Sequence, residues 1–215
     1  MKYGIYIYEG NMDSPEFRER LILDAACAYC MSHEIDCSGM ELVRTEKGKP
    51  YIYGTGRDVY CNVSHSENMW ICIVGEAECG IDLQVVKDCK YEQISRRYFT
   101  QDEQNYIRKY GISGFFRLWV RREAFGKYTG DGFYGEKPAF VDAEGRLIDS
   151  VWDGFLKDLP IADDIICTYC TGGEDNADGE RNTGFSGDRG IRDRRNCGGS
   201  LRPQKFRLYR RCEIL

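Results

Sequence analysis

The sequence lacks any apolar run long enough to cross a membrane, since no stretch approaches the roughly 18 consecutive apolar residues that a spanning helix requires. Its first residues contain neither the apolar core nor the cleavage site of a signal peptide. Basic residues are not in excess either, because 30 Lys and Arg stand against 35 Asp and Glu, for a net charge of -5. These absences favour neither a membrane protein nor a nucleic-acid-binding protein, and they predict a cytoplasmic chain.

Histidine is also scarce, with two residues, whereas cysteine is abundant, with 11 in a chain of 215. Two cysteine pairs have the spacing of a zinc-binding CxxC motif, Cys27 with Cys30 and Cys167 with Cys170. The first pair lies in a helical pattern and the second in a strand pattern, where residues three apart point to opposite faces. Buried reduced thiols are therefore the main interpretation of the cysteines, and a four-cysteine zinc site is the alternative.

Apolar residues form 42% and charged residues 30% of the chain, which is typical of a globular protein. Runs rich in β-branched and aromatic residues predict strands, and apolar residues at helical spacing predict helices. The predicted strands cover residues 2–8, 51–53, 59–63, 69–74, 80–84 and 165–170, with a hairpin over 139–151. The predicted helices cover residues 14–33, 91–99, 100–110 and 114–128.

The composition changes after residue 170. The segment 171–200 is rich in Gly, Asp, Arg and Asn and contains almost no apolar residues. Such a segment cannot bury enough surface to offset the conformational entropy that it would lose on ordering. We therefore expect residues 171–215 to form a low-complexity, disordered tail.

The segment 62–66, Asn-Val-Ser-His-Ser, is the first of three patterns that carry side chains suited to chemistry. It is expected to connect two strands, where His65, the hydroxyls beside it and the exposed turn amides suit an anion such as phosphate. A turn at the end of a strand with a solvated histidine explains the same residues equally well. The pattern alone therefore leaves both readings open.

The other two patterns carry acidic side chains. Asp82 and Gln84 are two apart in a predicted strand and share a face, so their oxygens suit a hard cation, although surface strands often look the same. Trp119, Glu123 and Lys127 are four apart and lie along one helical stripe. A surface ion pair explains Glu123 and Lys127, but Trp119 on the same stripe indicates that the stripe meets another group.

Taken in chain order, four motifs resemble the phosphopantetheinyl transferases of the type that activates surfactin synthetase. The motifs are Gly-Lys-Pro at 48–50, Val-Ser-His-Ser at 63–66, Gly-Ile-Asp at 80–82 and Trp-x-x-Arg-Glu-Ala-x-x-Lys at 119–127, and the resemblance covers about residues 1–170. It implies an α+β fold of two similar α/β halves, a pseudo-dimer with the active site in the cleft between them. We expect an N-terminal half over 1–76 and a C-terminal half over 77–170.

The resemblance implies a monomeric enzyme that transfers the 4′-phosphopantetheine moiety of coenzyme A to a serine of an acyl or peptidyl carrier protein. The reaction depends on Mg²⁺ and releases 3′,5′-ADP. By resemblance, Asp82, Glu123 and Gln84 are the magnesium ligands, and Glu123 is also the general base for the carrier serine. The residues implied to contact coenzyme A are Arg20, Lys49, Ser64, His65 and Lys127.

The sequence also departs from the family pattern. Gln84 stands where the family commonly has an acid, Arg122 stands where lysine is usual, and the N-terminal region is shorter than is typical. These departures favour an alternative function, a catalytically weakened module that binds coenzyme A or a carrier protein. Arg117, Arg121 and Arg122 are a candidate basic surface for an acidic carrier, although helices often expose arginine for solubility alone.

Overall fold

The computed structural model describes residues 3–172 and the pair Arg195–Asn196. The described chain falls into two compact units. Unit 1 comprises residues 3–63, 68–79, 172 and 195–196, and unit 2 comprises residues 64–67 and 80–171. Apart from residues 171, 172, 195 and 196, the predicted tail over 171–215 lies outside the described residues. In the part of the chain that is described, no helix has the length and apolar character needed to cross a bilayer.

Helices and strands are combined throughout the described chain, which confirms the predicted α+β class. The three helices and ten strands of the described residues are, in chain order, β1 (Tyr3–Glu9), α1 (Pro15–Ser32), β2 (Glu41–Arg44), β3 (Pro50–Tyr53), β4 (Val59–Ser66), β5 (Met69–Gly75), β6 (Cys79–Val85), α2 (Tyr91–Tyr98), α3 (Gln101–Thr129), β7 (Ser150–Val151), β8 (Gly154–Ala162), β9 (Ile165–Gly172) and β10 (Arg195–Asn196).

Helix α1 accompanies a six-stranded sheet of order β1-β5-β4-β3-β2-β10. The helix begins as predicted, because the Ser14 hydroxyl accepts a hydrogen bond from the backbone N–H of Phe17 and a proline occupies the first turn. Buried residues such as Leu21 and Tyr29 join Trp70 of β5 in one apolar core. The hydrophobic effect of this burial holds the helix against the sheet.

Helices α2 and α3 accompany a four-stranded sheet of order β6-β9-β8-β7. Helix α3 begins with the predicted capping box, in which the side chains of Thr100 and Glu103 each accept a hydrogen bond from the other residue's backbone N–H. Glu103 is buried, and its second carboxylate oxygen accepts a hydrogen bond from the N–H of Phe140. One carboxylate thereby starts the helix and ties it to a distant segment of unit 2.

The sequence predicts two helices over 100–128, whereas the structure has one kinked helix. Non-helical backbone occurs inside α3 at Gly111, with φ 64° and ψ -147°. Glycine adopts a positive φ easily because it has no Cβ, so the chain bends there and continues. Ser113, which is expected to cap the second helix, therefore lies inside α3.

Several strand predictions are corrected by the structure. Strand β4 continues to Ser66, so that a short turn separates it from β5. Strands β2 and β8 have no counterpart among the predicted strands, and in β8 the polar residues and a proline interrupt the apolar alternation. The hairpin predicted over 139–151 is reduced to an isolated bridge between Val141 and Leu147, while Ser150–Val151 pairs with β8 instead.

Gly80 lets β6 lie directly against α3. A Cβ added to Gly80 would stand 2.1 Å from the carbonyl oxygen of Ala124 and 2.5 Å from the nitrogen of Tyr128. Because no side chain fits into that space, glycine at this position brings the strand residues that follow it within reach of the last turns of α3.

We expect Gly80→Ala to destabilise the protein by about 3 kcal/mol, since the backbone of α3 cannot move away from the new methyl group without disturbing the core. Urea unfolding followed by circular dichroism measures the loss. Gly56→Ala is the matched control, because a Cβ at Gly56 would meet nothing within 4 Å. An unfolding midpoint of Gly80→Ala equal to that of the unmodified protein would contradict the close approach.

Candidate functional site

Two serines of β4 form a side-chain ladder with β6. The Ser64 hydroxyl accepts a hydrogen bond from the backbone N–H of Leu83 at 3.3 Å and donates one to Oδ1 of Asp82 at 2.6 Å. Ser66 repeats the arrangement one step along the strand and donates to Oε1 of Gln84 at 3.4 Å. The hydroxyls therefore orient the two polar side chains that the sequence places on one face of β6.

This ladder corrects the expectation that residues 62–66 form a connection that presents turn amides to an anion. Alternate residues of a strand point to opposite faces. The side chains of Ser64 and Ser66 point toward β6 and are buried, whereas the side chain of His65 points the other way and is exposed. The hydroxyl of Ser64, a predicted phosphate contact, is engaged with Asp82. His65, the other predicted phosphate contact on this strand, is exposed, and its contact with phosphate stays a prediction.

Asp82 is a buried carboxylate whose two oxygens have different surroundings. The residue is 3% exposed, and its Oδ1 accepts hydrogen bonds from the Ser64 hydroxyl and from the ammonium of Lys127, the latter at 2.8 Å. Its Oδ2 is buried and has no hydrogen-bond partner among the residues that the structure describes. An unsatisfied buried carboxylate oxygen is energetically costly, so Oδ2 marks a position that a bound cation would satisfy.

Lys127 and Glu123 occupy successive turns of α3 beside Asp82. The Lys127 ammonium also donates to the backbone carbonyl of Ile81 at 2.9 Å, so it fastens the helix to β6. Glu123 is half-buried; burial raises the pKa of its carboxyl group, and the Asp82 carboxylate raises that pKa further. Two acids that are far apart in the sequence thus lie close enough for their charges to interact.

A loop that follows α3 adds a second lysine, which the sequence analysis missed. The Lys137 ammonium acts on Glu123 by lowering the pKa of that carboxyl group, while burial lowers the pKa of Lys137 itself. The ammonium donates to the carbonyl of Gly132 at 2.6 Å. Gly126 permits the close approach of this loop, because a Cβ there would stand 2.5 Å from the same carbonyl oxygen. A loop lysine has no periodic signal that could have identified it.

Trp119 and Arg122 pack on the same loop. The ring of Trp119 lies 4.5 Å from that of Phe133, and the Arg122 guanidinium lies 5.2 Å from the centre of the Phe133 ring. Burial lowers the pKa of Arg122. The prediction that the stripe of Trp119 meets another group is confirmed, and aromatic and cation–π contacts hold the loop against α3.

Arg121 does not belong to a basic surface. It is 2% exposed, and its guanidinium forms ion pairs with Asp149 at 2.8 Å and with Asp158 at 3.0 Å. A buried, paired arginine holds α3 to neighbouring elements of unit 2 and is not available to an acidic partner. The interpretation of Arg117, Arg121 and Arg122 as one exposed cluster is therefore wrong.

The oxygens of Asp82 and Glu123 fit a hard divalent cation. Carboxylate oxygens are ligands that Mg²⁺ prefers, and water and phosphate oxygens usually complete its octahedron. Gln84 is engaged already, because its amide oxygen accepts the Ser66 hydroxyl. Within residues 3–172 and 195–196, no group of three or more His, Cys, Asp or Glu side chains is placed to hold a metal. The four-cysteine zinc site therefore has no support there.

Arg20 and Lys49, two predicted coenzyme contacts, lie in unit 1, and each forms an ion pair there. Arg20 pairs with Asp24 one turn along α1 at 2.8 Å, and Lys49 pairs with Glu78 at 2.6 Å. The predicted site residues in unit 2 are Ser64, His65, Asp82, Gln84, Glu123 and Lys127. Hydrogen bonds and charge interactions connect four of them, Ser64, Asp82, Glu123 and Lys127.

We expect Glu123→Gln to stabilise the metal-free protein at neutral pH. The native fold raises the pKa of Glu123 above its ordinary value of 4.5, through burial and Asp82 and against the opposing charges of Lys127, Lys137 and Arg122. The folded state therefore binds this proton more tightly than the unfolded state, and stability falls as the pH rises through and above 4.5.

Glutamine removes this titration, so the gain in the free energy of unfolding should be present at pH 7 and small below the ordinary pKa. Urea unfolding of both proteins in the presence of a chelator, at a series of pH values, measures the difference. Glu136→Gln, which alters an exposed acid of the loop, should leave the pH profile unchanged. A stability difference that does not vary with pH would show that the raised pKa of Glu123 is not its cause.

Comparisons with known proteins point to one family. The family model described as the 4′-phosphopantetheinyl transferase superfamily matches residues 78–152, a range that contains Asp82 and Glu123. The chain is 28% identical over 95 residues to the 4′-phosphopantetheinyl transferase gsp of Aneurinibacillus migulanus, with 42% of this chain and 38% of the relative covered.

Two further relatives are similar. A putative 4′-phosphopantetheinyl transferase of Synechocystis is 29% identical over 139 residues, which cover 60% of this chain and 54% of the relative. A 4′-phosphopantetheinyl transferase of Bacillus subtilis is 29% identical over 109 residues, which cover 49% and 48%. The chain thus spans about half, or less, of the length of these curated relatives. The resemblance to the 4′-phosphopantetheinyl transferase superfamily is confirmed by these findings, most directly over residues 78–152.

Proposed function

We propose that this protein transfers the 4′-phosphopantetheine moiety of coenzyme A to a serine of an acyl or peptidyl carrier protein and releases 3′,5′-ADP. One observation carries the proposal, the convergence of Asp82 and Glu123 within unit 2. Asp82 keeps one buried oxygen without a hydrogen-bond partner among the described residues, and the charge of Asp82 acts on Glu123. Such a pair suits a divalent cation on a diphosphate.

Asp82 Oδ2 and the carboxylate of Glu123 would hold Mg²⁺, which when bound neutralises the negative charge of the diphosphate oxygens. The remaining tasks fall to side chains of the chain itself. The Ser64 hydroxyl and the Lys127 ammonium fix the other oxygen of Asp82, at 2.6 Å and 2.8 Å. This leaves Oδ2 free to face the cation and keeps the carboxylate orientation ready before the coenzyme arrives.

The cationic groups around Glu123 suit a substrate that is itself negatively charged. Lys127, Lys137 and Arg122 all act on the Glu123 carboxyl group, so three positive charges are concentrated near it. In a phosphoryl transfer the negative charge is spread over phosphoryl oxygens, and fixed cations beside them stabilise the transition state. We assign these three side chains to the phosphate groups of coenzyme A.

In this proposal Glu123 also acts on the nucleophile. The carrier serine must lose its hydroxyl proton as its oxygen attacks the phosphorus atom attached to pantetheine, and the bond from phosphorus to the departing 3′,5′-ADP oxygen breaks. A half-buried carboxylate beside that phosphate is a suitable acceptor for the proton, either directly or through one water. Glu123 therefore has two tasks in this proposal, as a cation ligand and as the general base.

A catalytically weakened module that binds coenzyme A or a carrier protein is the second candidate. The observation that favours it is Gln84, which replaces an acid and whose amide oxygen already accepts the Ser66 hydroxyl at 3.4 Å. Loss of one carboxylate removes an attraction of about 4 kcal/mol at an effective dielectric near 20, before desolvation is subtracted. Such a site would bind Mg²⁺ more weakly, although the coenzyme phosphates would remain bound by cationic side chains.

Incubation of the full chain with coenzyme A, Mg²⁺ and a panel of apo carrier proteins tests both functions. Transfer predicts a carrier that gains the mass of phosphopantetheine on its serine, and a carrier whose serine is replaced by alanine is the control. If no carrier gains this mass while calorimetry detects coenzyme binding that does not require Mg²⁺, the weakened module is correct. If neither transfer nor coenzyme binding is found, the proposed function is wrong.

A further inference from the structure

Helix α1 and the turn that follows it bring two thiol groups together in unit 1. The Sγ atoms of Cys27 and Cys37 lie 3.7 Å apart. Both residues are half-buried and both are reduced in the structure. The sulfur atoms of a disulfide are separated by about 2.05 Å, so the two sulfur atoms need to approach each other by less than about 2 Å.

The backbone just before Cys37 is held by two hydrogen bonds. The N–H of Ile35 donates to the carbonyl of Cys30 at 2.9 Å, which folds the chain back onto the end of α1. The N–H of Gly56 donates to the carbonyl of Asp36 at 3.2 Å, which fixes the turn to a neighbouring loop. These contacts keep Cys37 beside the helix, so the entropy cost of bringing the two sulfurs together has been met by folding.

A third thiol nearby, that of Cys30, is unreactive. Cys30 is fully buried, and burial, followed by the neighbouring Cys37 and Cys27, raises the pKa of its thiol to about 11. Thiolates are the reactive form of cysteine, so Cys30 stays protonated near neutral pH. The half-buried pair on either side of it remains within reach of a small reagent.

We propose that Cys27 and Cys37 form a reversible disulfide and are a site of oxidation by a low-molecular-weight disulfide such as oxidised glutathione. One protein thiolate attacks a sulfur of the oxidant, forms a mixed disulfide and releases one reduced glutathione. The other protein thiolate then displaces the second glutathione, so the protein loses two protons and two electrons and the oxidant gains them. The new bond ties the end of α1 to the turn before β2, and the inference is independent of the proposed function.

Peptide mapping of the unmodified full chain tests the pair. The protein is equilibrated with increasing ratios of oxidised to reduced glutathione, the remaining thiols are alkylated, and the chain is cleaved after glutamate. Cleavage at Glu34 separates Cys37 from Cys27 and Cys30. We expect the two peptides to become covalently linked without bound glutathione, because the second step is intramolecular and proceeds at a high effective concentration.

Cys89 is the matched control, since it is also half-buried but lies in unit 2. After the same treatment, the thiol of Cys89 should either carry a bound glutathione or be alkylated. The link should persist in Cys30→Ser and be lost in Cys27→Ser. The proposal is overturned if Cys37 is alkylated or glutathionylated to the same extent as Cys89, or if the link survives in Cys27→Ser.

Discussion

Replacement of Asp82 by Asn or of Glu123 by Gln is expected to lower the rate of the proposed phosphopantetheine transfer by a factor of about 10³ or more, because each removes a carboxylate from the proposed cation site. Asp82 contributes the buried oxygen that has no other partner in the described part of the chain. Glu123 in addition contributes the proposed proton acceptor. The measurement is the mass of the carrier protein as a function of time at saturating coenzyme A.

Two exposed acids provide matched controls. The controls are Asp88→Asn and Glu136→Gln. Asp88 lies just beyond β6, Glu136 lies in the loop after α3, and both side chains are exposed to solvent. Transfer should stay within about fivefold of the unmodified protein in both, since single surface charges change local interactions by less than about 1 kcal/mol. Full activity of Asp82→Asn or Glu123→Gln, in protein shown to be folded by circular dichroism, would remove these residues from the mechanism.

Calorimetry with Mg²⁺ alone separates the two tasks of Glu123. Both Asp82→Asn and Glu123→Gln should weaken binding of the cation if the two carboxylates share it. If Glu123→Gln binds Mg²⁺ as the unmodified protein does but fails to transfer, Glu123 acts as a base and not as a ligand. This readout does not depend on the choice of carrier protein.

Lys127→Met is expected to reduce the free energy of unfolding by about 3 kcal/mol, because it leaves the buried Asp82 carboxylate without its cationic partner. The side chain of Asp82 is 4% exposed and that of Lys127 is 26% exposed, with 2.8 Å between their charged atoms. The double variant Lys127→Met with Asp82→Asn should recover about 2 kcal/mol of this loss, since the unpaired charge is then gone. Urea unfolding of the two single variants and the double variant measures this coupling.

Lys87→Met is the matched control for that cycle. Lys87 pairs with Glu67 at 2.9 Å, but both side chains are more than half exposed, at 62% and 55%. Solvent screens such a pair, so its removal should change stability by less than about 1 kcal/mol. Equal effects of Lys87→Met and Lys127→Met would show that the Asp82 pair does not stabilise the fold.

Local sequence signals predicted the helices well. Ser14 and Thr100 specify helix starts through their own hydroxyls, and these caps depend only on residues within one turn. The strand around Asp82 was predicted for a similar reason, because alternating side chains need no distant partner to be recognised. Where a signal depended on distant contacts the prediction failed, as for β8, whose polar residues and proline hide the pattern.

In the candidate site, too, most local features were predicted from the sequence and features that depend on distant contacts were not. Residue types and spacing indicated a cation pair at Asp82 and, separately, a stripe with Glu123 and Lys127, and only the family resemblance joined them into one site for coenzyme A. The pattern around Ser64 predicted the wrong local structure. A turn was expected, but the hydroxyl is buried in a strand and accepts a hydrogen bond from the backbone of β6.

By itself, the sequence predicted most of the strands and helices of the α+β fold and the caps that start α1 and α3, because these depend on residue identity and on short spacings. Tertiary structure alone decided which oxygen of Asp82 is satisfied, that Lys137 acts on Glu123, and that Cys27 meets Cys37. Those facts depend on how closely separate elements approach one another. Glycines such as Gly80 set the distance between neighbouring elements. This distance affects pKa values and hydrogen bonds only when the chain is folded.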